Sequence, residues 1–240
     1  MACMALQLSI FCDFDGTITT VDTGDEFFAE FSTVFDDSMA RLMSGKSSVR
    51  DYYHDVVRGL RPLSSEMVQD FALRYPIDAY FADFVKYCHE LSFPLTIVSD
   101  GFREYIEPIL AANDMSEVQY YSNAMQEVNG QLSPLFPNAT ESCSCFCASC
   151  KRNIVLNNTP PDTLIVYIGD GYSDMCAASH ADIIFAKGAL ASYCATERIP
   201  HYPFRTFFDI IRLMKNGLEQ KKFRPRHQAV LLRKKAYEIE

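Results

Sequence analysis

The sequence predicts an α/β fold, a mostly parallel sheet flanked by helices and interrupted by an all-helical block. Three observations carry this. Short apolar runs alternate with segments of helical periodicity, the pattern of a parallel sheet built from strand–helix–strand units. Three of those runs, ending at Cys12, Val98 and Ile168, stop abruptly at polar clusters. Between the first and second runs, residues 20–78 show helical spacing alone.

The first strand is the run Leu6 to Cys12, ending in Asp13-Phe14-Asp15-Gly16-Thr17. An apolar run of this length before a turn signal reads as a buried strand. Helical spacing follows over Asp25–Phe31, Thr33–Met43, Val49–Leu60 and Ser64–Tyr75, with breaks at Ser44-Gly45 and at Gly59 to Pro62. In the third of these, Tyr52, Val56, Val57 and Leu60 share a face. Ala79–Leu91 is a further amphipathic helix. Leu95 to Val98 is a second strand, ending in Ser99-Asp100-Gly101, with a helix over Arg103–Ala112 behind it. Val118–Ser122 and Met125–Val128 read as short strands, and Asn129-Gly130 as a hairpin turn. Leu132–Asn138, with Pro134 and Pro137, reads as loop. A short helix starts at Lys151, and Leu164 to Ile168 is a third strong strand, ending in Gly169-Asp170-Gly171-Tyr172-Ser173-Asp174. A helix over Met175–Ser179, a strand over Ile183–Phe185 and a closing helix over Arg205–Lys215 complete the pattern.

The expected organisation is a core of residues 1–19 and 79–240 with a helical cap of 20–78. At 240 residues and 48% hydrophobic, the chain buries a sizeable core. A net charge of -9 argues against a nucleic-acid partner. The cationic cluster from Lys215 to Lys235 reads as a solvated terminal helix. The start of the chain carries no secretory pattern, and no run reaches the ~20 apolar residues of a membrane span. Nine cysteines without an export signal fit a reduced, cytoplasmic protein, monomer or homodimer, with no membrane partner.

In open α/β sheets, ligands bind outside the carboxyl ends of the strands. The three polar clusters therefore converge on one crevice. Their order and chemistry resemble the haloacid dehalogenase superfamily: Asp13-x-Asp15-Gly-Thr17 is similar to its first motif, Ser99 to the second, Lys151 to the third and Gly169-Asp170-x-x-x-Asp174 to the fourth. The resemblance covers essentially the whole chain. It implies a Rossmann-like parallel core, a C1-type helical cap in the inserted block, and a Mg²⁺-dependent phosphatase acting on a small-molecule phosphate ester.

The resemblance also implies roles. Asp13 attacks phosphorus and becomes an aspartyl phosphate; Asp15 is the acid and base; Lys151 adds positive charge. Asp13, Asp15, Asp170 and Asp174 form the metal site. Thr17, Ser99, Asp100 and Gly101 bind the phosphate end of the substrate, and Glu26 and Arg58 of the cap its other end. Two like unit charges ~4 Å apart repel by about 4 kcal/mol at an effective dielectric of 20. A carboxylate attacking a phosphate therefore needs a cation, and an all-oxygen donor set suits Mg²⁺.

Two features stay open. Cys143, Cys145, Cys147 and Cys150 lie within eight positions; four thiolates suit a structural Zn²⁺, a disulfide and inert thiols being the other readings. The Cys-Lys junction narrows the resemblance to the branch holding the methionine-salvage phosphatase of 2-hydroxy-3-keto-5-methylthiopentenyl-1-phosphate, with phosphoethanolamine/phosphocholine and phosphoserine phosphatases as alternatives. The acids of Asp22-Thr-Gly-Asp25-Glu26 suit a cationic substrate group or, equally, a helix N-terminus. A non-catalytic phosphate- or zinc-binding interaction protein is the reading from another class.

Overall fold

The computed structural model describes residues 6–140, 145 and 147–239. Its centre is β1 (Leu8–Cys12), buried at every position. A strand with parallel neighbours on both edges and helices on both faces has no solvated side, so its sequence is a continuous apolar run. Those neighbours are β2 (Leu95–Phe102) and β5 (Leu164–Gly169). Outward lie β3 (Gln119–Val128) and β4 (Gln131–Leu135) on one side, β6 (Ile183–Ala186) and β7 (Tyr202–Pro203) on the other. The seven-stranded order is β4-β3-β2-β1-β5-β6-β7, parallel except for β4. The register sets Cys12 opposite both Ile97 and Ile168. Asp13, Ser99 and Asp170 therefore all lie at one edge of the sheet.

The β3–β4 hairpin departs from the sequence reading. β3 is one strand where the sequence suggests two, and β4 occupies the stretch read as loop because of Pro134. Proline is compatible with an edge strand, where one side of the ladder has no partner. Asn129 and Gly130, both at positive φ, form the hairpin between them.

Four helices fill the segment between β1 and the next helix of the core: α1 (Thr23–Phe31), α2 (Phe35–Met43), α3 (Val49–Arg58) and α4 (Ser65–Arg74). Their starts are written in the sequence. Asp22, Ser48 and Ser64 each accept a backbone N–H from three residues on, and Ser48 with Asp51 completes a reciprocal capping box. The block's entry and exit are tied together, with Thr19 bridged to Ile77 and the Asp78 N–H donating to the Ile18 carbonyl. Aromatic rings fasten it to the sheet. Phe27 packs on Tyr105 at 5.3 Å, Phe28 on Phe102 at 5.5 Å and Tyr53 on Phe102 at 5.0 Å.

The remaining helices are α5 (Phe81–Glu90), α6 (Arg103–Ala112), α7 (Lys151–Asn157), α8 (Met175–Ser179), α9 (Gly188–Thr196), α10 (Phe207–Glu219) and α11 (His227–Ile239). The sequence reading passed over α9. Its small residues form no clear apolar stripe. In the cationic C-terminal stretch, Arg226 donates to the carbonyls of Ala178, Ser179 and Ala181, and Arg233 to that of His180 and to Asp182. These two arginines close the carbonyl end of α8, where positive charge is favoured. Among the described residues, no helix is long and apolar enough to cross a membrane.

Candidate active site

Lys151 is the pivot of the crevice floor. Its side chain is 1% exposed, and its ammonium donates to Asp13 Oδ1 at 2.6 Å and to Asp174 Oδ1 at 2.7 Å. A buried charge persists only when paired and hydrogen-bonded. Burial alone would lower the lysine pKa; the carboxylates of Asp13 and Asp174 override it and raise it. Burial pushes Asp13 the other way, well above the usual carboxylate range, with Asp174 adding to the rise and Lys151 opposing it. Asp13 has a second oxygen, Oδ2, with no protein donor among the described residues.

Asp15 has a separate set of partners. Oδ1 accepts from the Thr23 hydroxyl and, at 3.1 Å, from the Gly24 N–H, both at the start of α1. Oδ2 accepts from Ser99 Oγ at 3.2 Å and from the Tyr105 hydroxyl at 3.0 Å. Burial, with Asp22 repulsion second, lifts its pKa to about 7, against the opposing hydrogen bonds from Thr23 and Tyr105. Two carboxyl groups two residues apart thus sit in different surroundings, one beside an ammonium and one among hydroxyls. The Tyr105 hydroxyl reaches Asp15 past Gly101, where any Cβ would lie 2.0 Å from it.

Other residues named from the sequence hold the frame. Asp174 is saturated: besides Lys151, it accepts from the Tyr167 hydroxyl at 2.7 Å and from the N–H groups of Asp170 and Gly171 at 3.0 and 2.9 Å. Asp100 accepts from the N–H groups of Ala148 and Ser149 and from Asn123, gripping the loop that delivers Lys151. Its carboxyl pKa rises to about 6 through burial, opposed by those backbone donors. Thr17 donates to Asp170 Oδ1 at 2.7 Å, and Ser99 Oγ accepts the Gly101 N–H at 2.8 Å while donating to Asp15. In this structure the Thr17, Ser99 and Asp100 side chains thus bond protein groups, where the sequence expectation was substrate. Gly101 lines the crevice.

Glu26 and Arg58 fall away from the crevice, a correction to their expected place. Asp22, Asp25 and Phe28 line it from α1 and its cap, and Val49, Tyr52 and Tyr53 from α3. At 100° per residue, Glu26 turns off the first face and Arg58 off the second. Glu26 is exposed and accepts from the Tyr75 hydroxyl at 3.1 Å, and Arg58 is exposed beside Asp37 and Asp55. Phe27 and Phe31 are buried within the block.

Among its described residues, the cysteine segment gives no zinc centre. Cys143 lies outside the described residues. Among those described, Cys145, Cys147 and Cys150 do not bring three ligand atoms together. The group that does is Asp13, Asp170 and Asp174, with carboxylate oxygens within 4.8 Å of one another. Burial, with Asp174 second, raises the Asp170 pKa to about 6. Crowded carboxylates around a buried lysine fit an oxygen-binding divalent cation. The open oxygens belong to Asp13 and Asp170, since both oxygens of Asp174 are taken.

Tyr105, Thr23 and Tyr167 were not legible as site residues. Tyr105 sits where helical spacing asks for a core aromatic. Tyr167 left one signal, a phenol in an otherwise aliphatic buried strand.

Comparison with known proteins bears on the same residues. A family model for haloacid dehalogenase-like hydrolases matches residues 10–179, which hold all of these side chains. The chain belongs to this family. It is 32% identical over 214 residues to a 2-hydroxy-3-keto-5-methylthiopentenyl-1-phosphate phosphatase of Brevibacillus brevis, covering 88% of this chain and 96% of the relative. A protein of the same name from Geobacillus kaustophilus is 30% identical, with 87% and 96% covered. Among solved structures, a phospho-aspartyl intermediate analogue of phosphoserine phosphatase superposes with a TM-score of 0.64 at 18% identity, covering 87% of this chain and 99% of that one. A probable phosphoserine phosphatase from Vibrio cholerae reaches 0.68, also at 18%, covering 92% and 69%. These two establish the likeness of fold. With its family and relatives, the chain is a phosphoric monoester hydrolase.

Proposed function

We propose that the chain hydrolyses a small-molecule phosphate monoester through an aspartyl phosphate on Asp13, with Mg²⁺ as cofactor. The observation that carries this is the division of the two carboxyl groups: Asp13 is fixed by Lys151 with Oδ2 open, and Asp15 is fixed separately by four donors. Asp13 Oδ2 attacks phosphorus as the ester P–O bond breaks, and the Asp15 proton passes to the leaving oxygen. Asp15, now a carboxylate, takes a proton from water as that water attacks phosphorus. The P–O bond to Asp13 then breaks and phosphate is released. A carboxyl pKa of about 7 suits a group that gives and takes the same proton near neutrality. Asp13, Asp170 and the Asp15 backbone carbonyl would hold Mg²⁺, whose charge offsets that of the phosphate and the carboxylates.

The helices of 23–74 act as a cap over this floor. The crevice measures about 200 Å³, which suits a small metabolite. Phe28, Met39, Leu42, Met43 and Val49 give it an apolar wall that accommodates a methylthio tail, so the enol phosphate named for the Brevibacillus relative is the first substrate to assay. A second reading, an amine-bearing ester such as phosphoethanolamine, phosphocholine or phosphoserine, is favoured by Asp22 and Asp25 on the same wall.

The test is turnover of p-nitrophenyl phosphate with Mg²⁺. Asp13→Asn is expected to lower kcat by about 10⁴-fold or more while the protein stays folded. EDTA is expected to abolish turnover and Mg²⁺ to restore it. Full activity in Asp13→Asn, or indifference to EDTA, overturns the mechanism.

A further inference from the structure

The crevice carries more negative charge than phosphate chemistry uses. Asp13, Asp15, Asp22, Asp25, Asp100 and Asp170 all line it, and Lys151 is the one cation among its described lining residues. Asp13 has Lys151, Asp15 and Asp100 have their donors, and Asp13 and Asp170 fit a divalent ion. Asp22 and Asp25 stand apart. One oxygen of Asp22 accepts the Asp25 N–H, and no described lysine or arginine pairs with either carboxylate. Nor do they belong to a metal cage: with Asp15 they bring no three ligand atoms together.

A helix start rich in acids carries little by itself. The second observation is Tyr52. It lines the same crevice from α3, is 3% exposed, and its buried hydroxyl has no hydrogen-bond partner. Asp25 and Asp22 are the charged groups that bear on that hydroxyl. A buried hydroxyl without a partner is destabilising unless a ligand completes it. Two carboxylates and one phenol oxygen are three acceptors on one wall, and a primary ammonium has three donors. Phe28 and Tyr53 line the same crevice, and aromatic rings are compatible with a cation.

We infer that Asp22, Asp25 and Tyr52 form a subsite for a primary ammonium, so that the substrate is a zwitterionic aminoalkyl phosphate. A neutral tail would leave the Asp25 carboxylate without a cation and the buried Tyr52 phenol without a partner. This inference rests on the phosphatase reading and selects its amine branch over the methylthio one.

The experiment compares 2-aminoethyl phosphate with n-propyl phosphate, nearly isosteric esters that differ in the terminal charge, with Mg²⁺ present. The wild type is expected to favour the amine at least tenfold in kcat/KM. Asp25→Asn is expected to bring that ratio towards one, chiefly through KM for the amine, and Tyr52→Phe to lower it severalfold. A wild-type ratio near or below one overturns the subsite even if neither variant folds. So does a ratio that survives in Asp25→Asn, or higher kcat/KM for the methylthio-enol phosphate than for 2-aminoethyl phosphate. Turnover of p-nitrophenyl and n-propyl phosphate without amine preference defeats the subsite alone. Failure to turn over any ester defeats the phosphatase reading and the subsite with it.

Discussion

The floor and the roof of the crevice treat acidic residues in opposite ways. On the floor every carboxylate has at least one protein donor: Asp174 four, Asp15 four, Asp100 the loop ahead of Lys151, Asp170 Thr17 and Asp13 the lysine itself. On the roof Asp25 has no cation and Tyr52 has no partner. A floor with internal matches can hold its geometry without ligand, as preorganised catalysis requires. A roof with open acceptors is written for what arrives from outside.

The sharpest way to break the comparison is Lys151→Met. It leaves Asp13 and Asp174 buried beside one another without their cation. Uncompensated buried charges of this kind cost about 3–5 kcal/mol. Urea denaturation should show a loss of that order, together with loss of turnover. A variant as stable as the wild type would mean that the floor is not held by this pair.

A smaller effect is expected from Tyr105→Phe, which deletes one of four donors to Asp15 and keeps the ring. A hydrogen bond to a charged group contributes about 1.5–3 kcal/mol. kcat should fall about tenfold with KM nearly unchanged, and the alkaline limb of the kcat profile should move to higher pH, since the lost bond favoured the ionised form. An unaltered pH profile would assign Tyr105 to packing alone.

Acidity probes floor and roof together. Burial raises the folded-state pKa of Asp15 to about 7, of Asp25 to about 7 and of Asp170 to about 6. The unfolded value is about 4, so between these limits the folded state binds more protons. Metal-free protein in EDTA is therefore expected to lose stability as pH rises from about 4 to about 8. Its Tm should be higher at about pH 5.5 than at about pH 8, and Mg²⁺ should recover part of the loss at the higher pH. A Tm that rises with pH over this window would contradict the raised values.

The smallest expected effect lies off both surfaces. Arg58→Ala, on the outer face of α3, should change kcat/KM less than twofold and stability by less than about 0.5 kcal/mol. A large rise in KM would bring Arg58 back to the crevice.

The contrast also explains what the sequence could disclose. Asp13, Asp15, Asp170 and Asp174 were legible because strand ends and their turns put chemistry-bearing residues at fixed chain positions; Lys151, at a helix start, entered through the family resemblance. The mostly parallel sheet followed from apolar runs alternating with helical spacing. β4 was hidden by Pro134, whose compatibility with an edge is a tertiary fact, and α9 by the absence of an apolar stripe. On the roof, the face that looks inward depends on how α1 and α3 rotate against Phe102 and Tyr105. A helix rotation of one residue exchanges Asp25 for Glu26, and local spacing does not say which.

The four donors that surround Asp15 come from two stretches of the chain: Thr23 and Gly24 just behind it, and Ser99 with Tyr105 far downstream. Lys151 and Asp170 come later still. A chain emerging from the ribosome therefore carries Asp13 and Asp15 long before either has its environment. The site is assembled at the end of synthesis, and recovery of turnover on refolding should report completion of the whole sheet.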